Sequence, residues 1–152
     1  FSVAFRIMGD EDAARDIVQD TMVTVWQKLK RIKTAESYKT WVYRIAVNKC
    51  YDQLRRQKRQ KEDRYDENEW AVISNHLSEE GITELENREN ARIVSLLTNQ
   101  LSPRQKTVFV LSELEGMESD EIGRITGMSG SVIKANLYHA RKKIGSLLKK
   151  YL

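Results

Sequence analysis

The sequence contains a single proline, a single cysteine, two histidines and seven glycines in 152 residues. With so little proline, long helices run uninterrupted, and no stretch shows the alternation of a half-buried strand, so an all-α protein is expected. Cys50 alone excludes a disulfide framework and a thiolate metal site. No apolar run approaches the length needed to span a bilayer and nothing resembles a secretory leader, which predicts a soluble protein of a reducing compartment without membrane insertion. His76 and His139 are the only residues of the type suited to acid–base work near neutral pH, one in an acidic stretch and the other on a basic helix. No carboxylate cluster has metal-ligand spacing. Catalysis, a metal and a cofactor are therefore not expected.

Charge, by contrast, is abundant and unevenly spread. Charged residues make up 32% of the chain and the net charge is +4. Residues 1–61 hold 14 basic and 7 acidic side chains, residues 62–90 hold 2 and 10, and residues 91–152 hold 10 and 5. Two basic ends around an acidic middle suit two nucleic-acid-facing modules joined by a segment that avoids DNA. Solubility alone would explain the amount of charge but not its segregation.

The N-terminal part reads as three helices. Phe1, Ala4, Phe5 and Met8 form the apolar side of a first helix closed by Gly9. The chain opens inside this helix without an initiator methionine, so residues are expected to precede it. Asp10, Glu11 and Asp12 then place acids on the first turn of a second helix, where the dipole favours them. Ala14, Ile17, Val18, Thr21, Met22, Val25, Trp26 and Leu29 follow at three- and four-residue steps. The opposite face shows Asp16, Gln19, Asp20, Val23 and Gln27, and the apolar Val23 there hints at a protein-binding surface.

A polar connection leads to a third helix beginning near Tyr38 to Trp41, with Val42, Ile45, Ala46, Cys50 and Leu54 as its expected buried stripe. Another stripe carries Trp41, Arg44, Asn48, Tyr51 and Arg55. Rings among guanidinium and amide groups suit unpaired bases, since rings stack on bases while cations hold the backbone. The helix runs on into Arg55-Arg56-Gln57-Lys58-Arg59-Gln60-Lys61, which can neutralise several phosphates.

The acidic stretch from Glu62 lacks sustained periodicity and reads as a flexible linker, with Trp70, Val72 and Ile73 its only apolar cluster. Leu85, Ile93, Val94, Leu96, Leu97 and Leu101 announce a helix into a second module. Ser102-Pro103-Arg104-Gln105 is a helix start, with Ser102 as N-cap, Pro103 in the first turn and Gln105 closing a capping box. That helix carries Val108, Phe109, Leu111 and Leu114 and stops at Gly116.

The last part is a helix-turn-helix. Asp120 to Thr126 form a short helix, Gly127-Met128-Ser129 a turn, and Ser131 to Leu148 a longer helix. Ile122, Ile125, Met128, Ile133 and Leu137 fall where crossed helices need apolar contacts, and Gly123 lets them touch. In this motif the second helix lies in the DNA major groove. Its exposed positions are Ser131, Lys134, Ala135, Asn136, Tyr138, His139, Arg141 and Lys142, and no acidic residue follows Glu121.

These residues together resemble the extracytoplasmic-function sigma factors, two-domain promoter-recognition subunits of bacterial RNA polymerase. The resemblance rests on Asp16-Ile17-Val18-Gln19-Asp20-Thr21 with Trp26, on Thr40 to Ala46 with Asn48, and on Asp52-Gln53-Leu54-Arg55-Arg56. Further on it rests on Leu101 to Gln105, Glu121-Ile122-Gly123 and Val132 to Lys142. It implies two small helical domains joined by the acidic linker, with residues 1–61 as the region 2 domain, 62–84 as the linker and 85–152 as the region 4 helix-turn-helix domain. It further implies that Asp16, Gln19, Asp20, Val23 and Trp26 bind core RNA polymerase. Trp41, Arg44, Asn48, Tyr51, Arg55 and Arg56, with the loop Lys33 to Lys39, would capture the opened −10 promoter strand. The recognition helix would read the −35 element of promoter DNA through the eight exposed residues named above. An anti-sigma factor is a further implied partner, and the bacterial cytoplasm the implied location.

The sequence departs from the family at three places. Gly123 stands where Ala is usual, Thr126 where Leu is usual, and Glu118 where Ser is usual. The rival reading, a free-standing helix-turn-helix regulator, explains the C-terminal half. It leaves the Trp41–Arg56 face and the acidic linker without a task.

Overall fold

A computed structural model describes residues 1–32, 37–61 and 93–151. The expected linker, the cluster of Trp70, Val72 and Ile73, and most of the loop from Lys33 to Lys39 lie outside the described residues. Every regular element among the described residues is helical.

Helix α1 (Ser2–Met8) ends on Gly9, whose φ of 70° is the left-handed closure that a side chain resists. Helix α2 (Glu11–Lys28) starts on Asp10, whose carboxylate accepts from Ala13 N at 2.7 Å, and carries Glu11 and Asp12 in its first turn. A 3-10 turn, Leu29–Arg31, follows. Helix α3 (Tyr38–Lys61) is one unbroken rod. The described chain resumes in a helical turn over residues 93–98.

Helix α4 (Pro103–Phe109) begins with the expected capping box. Ser102 Oγ accepts from Gln105 N, and Gln105 Oε1 accepts from Ser102 N, both at 3.2 Å. The same rod widens into a π turn, Val110–Leu114, closed by Glu115 N donating to Val110 O at 3.0 Å. Gly116, at φ 65°, then turns the chain into α5 (Ser119–Thr126). Gly127, at φ 74°, ends α5, and α6 (Gly130–Tyr151) completes the helix-turn-helix. A Cβ on Gly123 would stand 3.2 Å from Met128 O and 3.8 Å from Ile133 Cδ1, so the small residue does mark the close crossing.

One continuous apolar core joins the two ends of the sequence. Val3, Ile7, Ala14, Ile17, Val47 and Cys50 share it with Val108, Leu111, Ile122, Ile125 and Ile133. Helix α3 packs on α1 and α2 on one side and on α4 and α5 on the other.

Two expectations about burial need correcting. In α2 the fully buried positions end at Thr21, with Thr24 and Val25 half-buried beyond it, while Met22, Trp26 and Leu29 are exposed. At 100° per residue these three lie more than about 100° round the helix from Ile17 and point away from the core. In α3 the core stripe is Tyr43, Val47, Cys50 and Leu54, while Val42, Ile45 and Ala46 are only half-buried. The stripe is set by where α1, α4 and α5 sit, and this shifts it from the position that apolarity alone suggested.

Candidate nucleic-acid and partner surfaces

Three surfaces follow from this packing. The first is the outer strip of α2. Asp16, Gln19, Asp20, Val23 and Trp26 are all exposed, as the sequence reading expected of them. Trp26 keeps 81% of its surface in solvent, Met22 61% and Val23 51%. An indole that open is uncommon for a folded chain without a partner, which makes the strip a candidate protein-docking surface. Met22 and Leu29 belong to this strip too; the run of three- and four-residue steps grouped them with Ile17, although they lie more than about 100° round the helix from it.

The second surface is the aromatic and basic stripe of α3. Trp41, Arg44, Asn48, Tyr51 and Arg55 lie along one side because steps of three and four bring them into line. The Arg55 guanidinium lies 5.7 Å from the Tyr51 ring centre, so a cation and a ring are already adjacent there. Arg56 is exposed one residue round from this line. Part of the stripe faces the helix-turn-helix and not open solvent. Arg44 Nε and Nη2 donate to Arg124 O at 2.9 and 2.7 Å, at the carbonyl end of α5. Asn48 and Tyr51 line a cleft of about 360 Å³ whose far wall is Thr126, Gly127, Met128, Ser129 and Val132.

The third surface is the outer face of α6. Ser131, Lys134, Ala135, Tyr138, His139 and Lys142 are exposed along it, and the Tyr138 and His139 rings meet edge-on at 5.4 Å. Two of the expected readers are engaged. Asn136 is half-buried and donates Nδ2 to Val132 O at 2.8 Å, and the Arg141 guanidinium pairs with Glu113. Asn136 lines a second cleft, of about 530 Å³, with Tyr51, Arg55, Lys58, Arg59 and Arg104. Four cations and no acid line it, so phosphate is the chemistry it suits. Arg104 had not been assigned a role from the sequence, because it sits in the first turn of α4, where only the packing brings it near α3.

Among the described residues no group of three or more His, Cys, Asp or Glu side chains is placed to hold a metal ion. No helix among them is long and apolar enough to cross a membrane.

The sequence profile of Sigma-70 region 2 matches residues 1–60, and that of Sigma-70, region 4 matches residues 91–144. The chain is 28% identical over 142 residues to the RNA polymerase sigma factor SigV of Bacillus subtilis, covering 93% of this chain and 80% of that one. It is 24% identical over 160 residues to the ECF RNA polymerase sigma factor SigW of the same organism, covering 98% and 82%. Among solved structures it is similar to CnrH in complex with the cytosolic domain of CnrY, with a TM-score of 0.67, 25% identity, and coverage of 97% of this chain and 79% of that one. In fold it also matches the sigma factor RpoE in complex with the anti-sigma factor NepR from Bartonella quintana, with a TM-score of 0.64 at 23% identity, covering 97% and 88%. With both signature regions present in order, and relatives of this one kind along almost the whole length, the chain belongs to the sigma-70 family, as an extracytoplasmic-function RNA polymerase sigma factor.

Proposed function

We propose that this chain brings core RNA polymerase to defined promoters through three divided tasks. Residues 1–61 act as the region 2 domain, 62–84 as the linker and 85–152 as the region 4 domain. Asp16, Gln19, Asp20, Val23 and Trp26 dock on the polymerase. Trp41, Arg44, Asn48, Tyr51, Arg55 and Arg56 hold the opened −10 strand. Ser131, Lys134, Ala135, Asn136, Tyr138, His139, Arg141 and Lys142 meet the −35 duplex. The observation that carries this reading is the occurrence, in one chain and in family order, of an acid-free recognition helix and a separate ring-and-cation stripe.

The mechanism makes and breaks no bond on the protein. Extracting a base from the duplex costs about a few kcal/mol, and stacking on an aromatic side chain returns about 1–3 kcal/mol per base. Tyr51 beside Arg55 supplies the ring and the cation for that exchange. Each module alone holds DNA weakly. Fixed at the spacing that polymerase imposes, the second contact becomes intramolecular, and effective concentration makes the pair tight.

A regulator fits the same surfaces. The solved relatives CnrH and RpoE were each captured with a protein partner, the cytosolic domain of CnrY and the anti-sigma factor NepR. A partner of that kind would cover the open apolar strip Met22–Val23–Trp26. The setting for all of this is the bacterial cytoplasm, where polymerase and promoter reside.

Reconstitution tests the reading. Added to sigma-free core polymerase and a promoter library, the chain should yield run-off transcripts from a defined set of sites. Arg44→Ala and Lys134→Ala should each reduce them. Absence of any site-specific transcript, or a nanomolar sequence-specific complex of the isolated chain with duplex DNA, would favour the free-standing regulator instead.

A further inference from the structure

We propose that the cleft between the C-terminal half of α3 and the start of α4 binds the linked phosphates of a small polyphosphate. The inference rests on the charge and geometry of that cleft and goes beyond the function proposed above.

The two walls come from distant parts of the chain. Arg55, Lys58 and Arg59 stand on α3, where steps of three and four residues bring them to one side with Tyr51. Arg104 meets them from the first turn of α4. All four cations are exposed, while Tyr51, Ser102 and Asn136 are half-buried beside them.

Cations gathered in this way repel one another unless an anion lies among them. Three other arginines of the fold find that anion within the chain: Arg6 meets Glu115, Arg15 meets Glu11 and Arg141 meets Glu113. Among the described residues Lys58, Arg59 and Arg104 have no hydrogen bond or ion pair, and Arg55 meets only the Tyr51 ring. Neutral donors complete the set. Ser102 Oγ accepts from Gln105 N, which leaves its hydroxyl hydrogen to donate outward. The Tyr51 hydroxyl has no partner among the described residues and can donate likewise. Guanidinium forks with hydroxyls between them suit phosphate oxygens.

Size and charge select the ligand. The volume of about 530 Å³ falls inside the ordinary range for small-molecule sites, about 300–1,000 Å³. A nucleic-acid strand needs an open track, whereas helices stand on both sides of this cleft. A single phosphate carries about two negative charges at most and leaves half of the four cations unmatched, while two or three linked phosphates match them. The neighbouring cleft of about 360 Å³ shares Tyr51 and Arg104 with this one. A base attached to the phosphates therefore has a ring to stack on and space beyond it.

Calorimetric titration of the full chain with sodium tripolyphosphate, and separately with ATP, should show saturable binding at one site. Orthophosphate should bind at least about tenfold more weakly. Arg59→Gln and Arg104→Gln change one wall each and lie outside every surface assigned to DNA or polymerase. Each should weaken tripolyphosphate about three- to tenfold. Lys28→Gln, the same loss of charge at an exposed position of α2, should leave the affinity unchanged. In two-dimensional NMR the amide shifts should cluster at Tyr51, Arg55 and Ser102 to Gln105, and the bound ligand should raise the thermal midpoint. The two probes also separate the sources of the phosphates. Tighter binding of ATP, with the advantage lost in Tyr51→Ala, identifies a nucleotide; equal affinities identify an inorganic chain.

The absence of saturable heat with both probes, equal weakening by Lys28→Gln, or shifts spread over the outer face of α6 would overturn the site. Binding of single-stranded DNA through Arg59 and Arg104, with tripolyphosphate inert, would overturn its assignment to a small molecule. No polymerase enters these measurements, so failure of the sigma function would show separately, as missing transcripts.

Discussion

Cys50 makes the stability of this protein sensitive to alkali in a way that can be calculated. The thiol sits at 0% exposure in the middle of α3, inside the shared core. Burial is the largest influence on it and pushes its pKa from 9.0 up to about 12. The folded chain therefore keeps the proton over a range in which the unfolded chain gives it up. Stability from this source is whole below pH 9 and drains away as pH climbs from 9 toward 12, at about 1.4 kcal/mol per pH unit and about 4 kcal/mol in all.

Replacing Cys50 by Ala removes the titration at the expense of a small cavity, about 1 kcal/mol. At pH 7 the Cys50→Ala variant should be the weaker protein. By about pH 10.5 the unaltered chain has lost about 2 kcal/mol through Cys50 alone. The order should then reverse, with a crossing near pH 10. Urea titrations of both proteins at pH 7, 9 and 10.5, followed by circular dichroism, measure this directly. Every other group is common to both proteins and cancels in the difference. A stability difference that stays constant from pH 7 to 10.5 would refute the argument.

Three further outcomes can be checked in the same way. Trp26→Ala should change stability by less than about 0.5 kcal/mol, because the indole is 81% exposed, yet weaken binding to core polymerase by at least about tenfold in a fluorescence titration. Ser102→Ala should cost about 1 kcal/mol in urea unfolding, since it removes the Oγ that accepts from Gln105 N, one half of the capping box over α4. Gly123→Ala should stabilise by about 0.5 kcal/mol. Helix propensity favours Ala by about 1 kcal/mol, part of which is lost as the Met128 carbonyl yields to the new Cβ. Gly123→Val, too bulky for that crossing, should lower the thermal midpoint.

Most of the secondary structure could be read from local chemistry. Ser102 and Gly127 mark helix ends through a cap and a turn conformation fixed by neighbouring residues, and each lies where expected, while Asp10, read as a first-turn acid, is the N-cap one position before it. The segregated charges and the acid-free α6 were likewise visible without a fold. Tertiary context decided the rest. Steps of three and four grouped Met22, Trp26 and Leu29 with Ile17, but at 100° per residue they lie more than about 100° round the helix from it and face solvent. Val47 was passed over because Val42, Ile45 and Ala46 offered an equally apolar stripe, and only the position of α4 and α5 chooses between them. Lys106 gave no sign that it would be 2% exposed with Nζ held by Asn99 Oδ1 at 2.8 Å, because its partner comes from another turn of chain. The contact of Arg6 spans 108 positions and that of Arg44 spans 80, and no local pattern announces them.

The widened turn at Val110–Leu114 has an effect well beyond its five residues. The wide turn absorbs one residue that a regular α-helix would carry as about 100° of further rotation. Deleting a single residue there would let the coil close at regular pitch with the downstream chain at nearly its present angle, and Ile122, Ile125 and Ile133 would still face the core. A residue added to the regular part of α4, with no wide turn to take it up, would instead swing them and the Lys134–Tyr138 face of α6 by about 100°. The slack that lets the C-terminal reader keep its aim therefore lies upstream of it, between Phe109 and Glu115.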